Sequence, residues 1–250
     1  TITSGSAAAK TWGRASYDPS APLRSMLPRM LEQSFMKALF HGSIAEDLVY
    51  PYPETPSEER ENTRLVLESV RKFCSSQVDS VKIDREHHIP EEVLAGMKEL
   101  GLFGMLIDPR YGGIGLSATS YARVTEELGG LDASLATTCG AHQSIGLKGI
   151  LLFGTDAQKE RYLPPLATGE KVAAFALTEP SAGSDAAAIQ TRAELSADGT
   201  HYVLNGSKVW ITNGGFADVF TVFARTSAIE EGTKPRITAF EFVQAIPVPM

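Results

Sequence analysis

Cysteine is nearly absent from this chain: among 250 residues only Cys74 and Cys139 carry a thiol. Two thiols exclude a disulfide framework and a cysteine-rich zinc module. Positive charge is also short, with 23 Lys and Arg against 30 Asp and Glu and a formal net charge of −7. A nucleic-acid partner needs a basic face, so that class is set aside. Long apolar runs are missing too. Stretches such as Val172 to Leu177 fall far below the ~20 residues that cross a bilayer as a helix. The Gly-Lys-Ser/Thr of a P-loop and the glycine fingerprint of a dinucleotide fold do not occur. What remains is ordinary for a globular protein: 43% hydrophobic, 21% charged, 22 Gly and 14 Pro. The length suits one large domain or two small ones.

Residues 1–56 read as an extension. Its first 30 residues hold Lys10, Arg14, Arg24 and Arg29 against a single acid, Asp18. That composition suits a mitochondrial transit peptide and an unstructured tail equally well. Residues 31–41 have helical apolar spacing, and Pro51, Pro53 and Pro56 stop it.

Residues 57–170 read as a helical domain. Val66, Val70 and Phe73 recur at helical spacing over 57–74. Pro90, Glu91 and Glu92 open a helix that Gly101 closes. Ser117 caps a third, with the stripe Tyr121, Val124 and Leu128, closed by Gly129 and Gly130. Ser134 to Leu152 is a helix of small and apolar residues, where a neighbouring backbone or a ligand chain can approach closely. Thr155 and Gln158 form a capping box for a short helix that Pro164 and Pro165 end.

After Gly169 the period changes from helical to alternating. Residues 171–250 read as a sheet domain, with strands at 172–178, 189–195, 202–204, 209–211, 219–224 and 237–243. Asp198-Gly199 and Asn205-Gly206 are turn signals. The class is therefore α+β: an all-helical domain, then an antiparallel β-barrel or sandwich.

Two segments can carry chemistry. Thr178 to Asp185 follows a strand and is rich in hydroxyls and small residues; it can offer backbone N–H groups to an anion, or be a plain turn-rich loop. Leu204 to Gly215 places Trp210 opposite Val209 and Ile211 on a strand, where an indole packs on core or on a flat ring. His142 reads as a satisfied core histidine, Cys139 as a buried small residue, and Glu179 as a structural hydrogen-bond acceptor. No Ser/His/Asp set and no metal-ligand spacing is present.

FALTEPSAGSD (Phe175 to Asp185) and LNGSKVWITNGG (Leu204 to Gly215) resemble the two signature stretches of the acyl-CoA dehydrogenase family, at the family's separation. GLFG at 101–104, YGGIGL at 111–116 and AHQSIGLKGILLFGT at 141–155 look like its very-long-chain branch. VDSVKIDREHHIPEE leans toward a paralogue known as a complex I assembly factor. The resemblance implies a helical domain, then a β-barrel middle domain, with FAD held between the latter and a C-terminal helical domain. It implies oxidation of a long-chain acyl-CoA to the trans-2-enoyl-CoA in the mitochondrion, at the matrix or inner membrane. Electron-transfer flavoprotein is the implied acceptor and a homodimer the implied assembly. Carried over by motif, Phe175, Leu177 and Thr178 lie along the flavin, Trp210 and Ile211 pack on it, and Thr212 reaches its N5 region. Ser184 serves the cofactor region and the acyl-CoA pantetheine, and the small residues of 134–149 border the acyl chain. From Glu241 on, the sequence departs from the family pattern. The last barrel strands, the C-terminal domain and its glutamate base are expected to be missing, so no catalytic residue is assigned and the barrel is expected to be incomplete. The alternatives to an enzyme are an assembly factor for respiratory complex I and an inert product.

Overall fold

The computed structural model describes residues 34–51, 54–226 and 236–243. Expectations that fall on 1–33 and 244–250 lie outside these residues. Helix α1, Phe35–Phe40, is capped by Ser34 and belongs to a small separate unit. The described residues from Ser57 on form one compact unit.

That unit begins with helices. α2 (Ser57–Gln77) buries Val70, Phe73 and Cys74. α3 (Ser80–Glu86) is a helix that apolar spacing does not disclose. It has seven residues and buries one, Ile83, and it starts because Asp79 accepts the Lys82 N–H at 3.0 Å. α4 (Glu91–Glu99) buries Val93, Leu94 and Met97, with Pro90 as its cap residue rather than inside its first turn. Gly101 ends it at φ +71°, the left-handed conformation glycine adopts freely.

α5 (Ala118–Leu131) starts at Ser117, whose hydroxyl accepts the Ser120 N–H. It runs through Gly129 and Gly130 instead of ending there. Its stop is Asp132, which turns extended and caps α6 (Ala133–Gly140) through the N–H groups of Ser134 and Leu135. The chain then widens into a π-helical turn, Ala141–Gly146, before α7 (Lys148–Phe153). α8 (Asp156–Ala167) has the expected capping box, but Pro164 and Pro165 lie within it rather than ending it. Proline removes a helical donor and clashes with the preceding turn; here burial of Leu163, Leu166 and Ala167 on both sides holds the helix on course.

The sheet follows: β1 (Ala173–Ala176), β2 (Arg192–Leu195), β3 (Tyr202–Asn205), β4 (Val219–Arg225) and β5 (Ile237–Val243). The order helices-then-sheet holds. The pairing is mixed rather than purely antiparallel. β2–β3 and β4–β5 are antiparallel, but β1 lies parallel to β4, with Ala173 opposite Val219 and Phe175 opposite Thr221. The reason is topological. β1 and β4 are 42 residues apart, long enough for a crossover, so no tight turn forces them antiparallel. Asp198-Gly199 does make the expected hairpin between β2 and β3. Asn205-Gly206 does not, and 206–218 contains no strand.

One core fills the space between α2, α4, α5 and α6. A second lies where α7 and α8 meet the sheet through Leu147, Ile150, Leu163, Leu166, Ala173 and Val219. A small third cluster, Ala193, Ala224 and Phe240, covers the other side of the sheet.

Candidate functional site

The site is built where the end of β1 meets the irregular segment 206–218. Beyond β1 the chain makes a tight loop: the Glu179 and Ala182 backbones exchange both hydrogen bonds, at 3.0 and 3.1 Å. Glu179 is thereby turned inward, 5% exposed. Its carboxylate accepts from the Gln190 N–H, from the Thr191 N–H at 2.9 Å, from the Thr191 hydroxyl, and from Lys208 Nζ at 2.8 Å. Burial by itself would raise its pKa; the bonds from Lys208, Thr191 and Gln190 outweigh that and bring it down to about 2. A carboxylate that saturated is a structural acceptor, as read from the sequence.

The second segment docks onto this loop. Lys208 Nζ also donates to the Leu177 carbonyl at 2.9 Å, and the Val209 N–H to the Thr178 carbonyl at 3.0 Å. At its far end, Asn213 is buried and donates its amide to the carbonyls of Thr138 and Ala173, at 3.1 and 3.3 Å. Between these anchors Trp210, Ile211 and Thr212 form a short arch. The strand expected at 209–211 is therefore wrong: Trp210 sits at φ +59° and Asn213 at φ +66°, backbone that a strand does not allow. The anchors at both ends fix that conformation, and hydrophobic alternation carries no record of them.

Trp210 is 88% exposed. Of the two uses open to it, packing on core is excluded. Among the expected site residues, Leu177 and Thr178 stand half-buried beside the arch, with Ile211 half-buried and Thr212 exposed within it. Phe175 is on β1, its ring 4.9 Å from that of Phe223. Ser184 is exposed in the loop after Ala182, and no hydrogen bond joins it to the arch among the described residues. Among the described residues the hydroxyls of Thr178, Ser184 and Thr212 have no hydrogen-bond partner, so each is free for a ligand.

The other candidates have structural roles. His142 is fully buried in the π-helical turn; its Nε2 donates to the Leu166 carbonyl and its Nδ1 accepts the Ala173 N–H, which fixes the neutral tautomer. Burial lowers its pKa to about 4, against the opposing pull of backbone carbonyl partners. Burial pushes the Cys139 thiol up to about 12. At Gly146 the close neighbour is the backbone of β1: an added Cβ would stand 3.0 Å from the Ala173 carbonyl carbon. Among the described residues no group of His, Cys, Asp and Glu could hold a metal ion.

Sequence reading passed over Glu241. It lies on β5 opposite Thr221, in phase with the exposed Ile237 and Ala239 rather than with the buried Phe240, so alternation along β5 carried no signal of its burial. Burial raises its pKa to about 7, with the Thr221 side chain pulling the other way, and its Oε2 has no hydrogen-bond partner.

Comparison with known proteins agrees with this geometry. The family model "Acyl-CoA dehydrogenase, N-terminal domain" matches residues 60–170, and "Acyl-CoA dehydrogenase, middle domain" matches 174–245. Human very long-chain specific acyl-CoA dehydrogenase, mitochondrial, is 48% identical over 241 residues, which is 94% of this chain and 37% of that protein. Butyryl-CoA dehydrogenase from Megasphaera elsdenii superposes with a TM-score of 0.70 at 36% identity, covering 78% of this chain and 51% of that one. An acyl-CoA dehydrogenase from Bacillus anthracis, solved in complex with FAD, gives 0.69 at 40% identity, covering 80% of this chain and 33% of that one. The chain spans about a third of the length of the curated relatives it matches. Two consecutive domain matches, and a fold that agrees with solved members at more than a third sequence identity, leave one assignment: this chain belongs to the acyl-CoA dehydrogenase family.

Proposed function

We propose that this protein takes part in FAD-dependent oxidation of long-chain acyl-CoA to trans-2-enoyl-CoA, with this chain supplying the helical and middle-domain walls of the site. The observation that carries the reading is the Trp210 arch. A large apolar ring held out to solvent at 88% exposure by anchors at both ends is costly unless something flat covers it. The neighbouring groups suit a flavin: Phe175, Leu177 and Ile211 offer apolar surface, and the free hydroxyls of Thr178 and Thr212 offer donors to a heterocycle edge. Ser184, further along the loop, suits the polar part of the cofactor or the pantetheine of the substrate.

Bound FAD would supply the acceptor for the two electrons that leave with the substrate β-hydrogen. This chain's part is binding and orientation: Trp210 and Ile211 exclude water from one face, and Thr178 and Thr212 fix the ring edge. The base that takes the α-proton is not Glu179, whose carboxylate is saturated by four donors. We assign that step to a residue outside the two matched domains. The boundaries 1–56, 57–170 and 171–250 are proposed as extension, helical domain and middle domain. Names of the curated relatives include "mitochondrial", which supports that location here. Long-chain acyl-CoA as substrate, electron-transfer flavoprotein as acceptor and a homodimeric assembly belong to the same proposal.

Trp210→Ala in the full-length protein tests it. Both residues are non-glycine at φ +59°, so backbone strain is unchanged. We expect flavin affinity to fall about tenfold, the loss of roughly one stacked ring, with an altered bound-flavin spectrum. Unchanged flavin stoichiometry and spectrum would overturn the reading.

A further inference from the structure

Lys208 stands in neither expected contact set, yet it joins the two signature segments. Its Nζ reaches the Leu177 carbonyl at 2.9 Å and the Glu179 carboxylate at 2.8 Å. The pair is well enclosed, with side-chain exposures of 12% for Lys208 and 3% for Glu179. An enclosed ion pair is tolerated when every remaining lone pair is also satisfied. Glu179 meets that condition through Gln190 and Thr191, so one carboxylate ties together the end of β1, the start of the 190–191 segment and Lys208. Gly206, two residues before Lys208, packs directly on Thr191; an added Cβ there would stand 2.7 Å from the Thr191 Cα. The chain enters the arch from a fully determined position.

Two residues past Lys208 the backbone turns left-handed at Trp210, and three further on it does so again at Asn213. A non-glycine residue held there is strained, a bulky one such as Trp210 more than an asparagine, and persists only where the surroundings over-determine it. Asn213 has its own side-chain bonds to Thr138 and Ala173. Trp210 has none among the described residues: its side chain is exposed, and its backbone is held from either side, by the Lys208 and Val209 anchor before it and by Asn213 after it.

We infer that Lys208 and Glu179 form a positioning pair that sets the Trp210–Thr212 arch, acting on the cofactor through Trp210 rather than by touching it. The flavin consequence rests on the function proposed above; the effect on the arch does not. Removing the ammonium frees Lys208 from the Leu177 carbonyl and leaves Glu179 without its counterion, so Trp210 relaxes out of the left-handed conformation.

The test uses the full-length protein with Lys208→Met, Lys208→Arg, Glu179→Gln and the Lys208→Met/Glu179→Gln double variant. Amide hydrogen exchange is read first, without FAD. We expect Lys208→Met to speed exchange at the Val209 N–H and through the arch by about tenfold or more while α5 and α8 keep their protection. FAD affinity should then fall about tenfold, Lys208→Arg should recover most of the loss, and the double variant should bind FAD no more weakly than the worse single variant, because both act through one node. Unchanged exchange in the arch of Lys208→Met, equal loss of protection in α5 and α8, or additive effects in the double variant would each overturn the positioning pair. The flavin reading fails separately, if Trp210→Ala leaves FAD binding intact.

Discussion

At the scale of single residues, the chemistry-bearing side chains divide by whether their polar atoms are already used. Both ring nitrogens of His142, the Glu179 carboxylate and the Asn213 amide N–H groups are used, and among the described residues the Thr178 and Thr212 hydroxyls and the Trp210 indole are not. The saturated groups make the fold sensitive to pH. Glu179 is held down at about 2 against an ordinary 4.5. A carboxylate depressed in the folded state stabilises above its unfolded pKa and loses that contribution as pH falls toward the folded value. Neutral His142, at about 4 against 6.5, gives the same sign: below 6.5 the unfolded chain takes up a proton that the folded chain refuses. These two groups lower stability in two stages on acidification, from about pH 6.5 and again below about pH 4.5, while Glu241, of opposite sign between pH 7 and 4.5, offsets the upper stage; the two stages should therefore appear in a Glu241→Gln background, as followed by chemical denaturation at stepped pH. His142→Phe should remove the upper stage, and it should cost about 2–4 kcal/mol at neutral pH by stranding the Ala173 N–H and the Leu166 carbonyl. Glu241 has the opposite sign. Its folded pKa near 7 lies above 4.5, so its contribution is present at low pH and lost as pH rises through 7. Glu241→Gln should raise stability at pH 8 by about 1–3 kcal/mol and leave it nearly unchanged at pH 4; equal effects at both values would refute the assignment.

At the scale of elements, what the sequence disclosed depended on whether the determinant was local. Caps were legible because the capping side chain and its N–H partner are three residues apart: Ser117 with Ser120, and Thr155 with Gln158. The stop at Asp132 is as local as the other caps, resting on the N–H groups of Ser134 and Leu135, but the Gly129-Gly130 pair just before it is the stronger stop signal in the sequence. The passage through Pro164 and Pro165 was not legible, because burial in the packed core decides it. The arch was misread as a strand for the same reason: its conformation is set by Thr178, Thr138 and Ala173, all more than 25 residues away in sequence. The two segments that carry the proposed site were singled out by resemblance, and the reading of Glu179 as a structural acceptor held. The π-helical turn left no mark in the hydrophobic pattern, yet it is where helices and sheet are stitched together, with His142 on Ala173 and the Thr221 hydroxyl on the Gly146 carbonyl at 2.8 Å. Gly146→Ala should therefore cost about 2–4 kcal/mol, since its Cβ would meet the Ala141 carbonyl oxygen and Ala173 at 2.9 Å. Gly130→Ala, with nothing within 4 Å, should be neutral or slightly stabilising. Equal thermal shifts for the two variants would contradict this packing.

At the scale of the molecule, helices and sheet share the core built on Leu147, Ile150, Leu166, Ala173 and Val219, so the two matched domains lie in one compact unit. That arrangement places the arch on a rigid base: Asn213 grips α6 and β1 together, and Lys208 grips the end of β1. The central claim is that this base presents a flavin to a long-chain acyl-CoA. The most direct measurement is anaerobic mixing of the purified full-length protein with palmitoyl-CoA, following the visible absorbance of bound flavin. The account predicts a yellow protein that bleaches on mixing, faster than it exchanges flavin, with enoyl-CoA formed in equal amount to the flavin reduced. A protein that purifies without flavin and takes up none, or one whose bound flavin stays oxidised with palmitoyl-CoA, would contradict it.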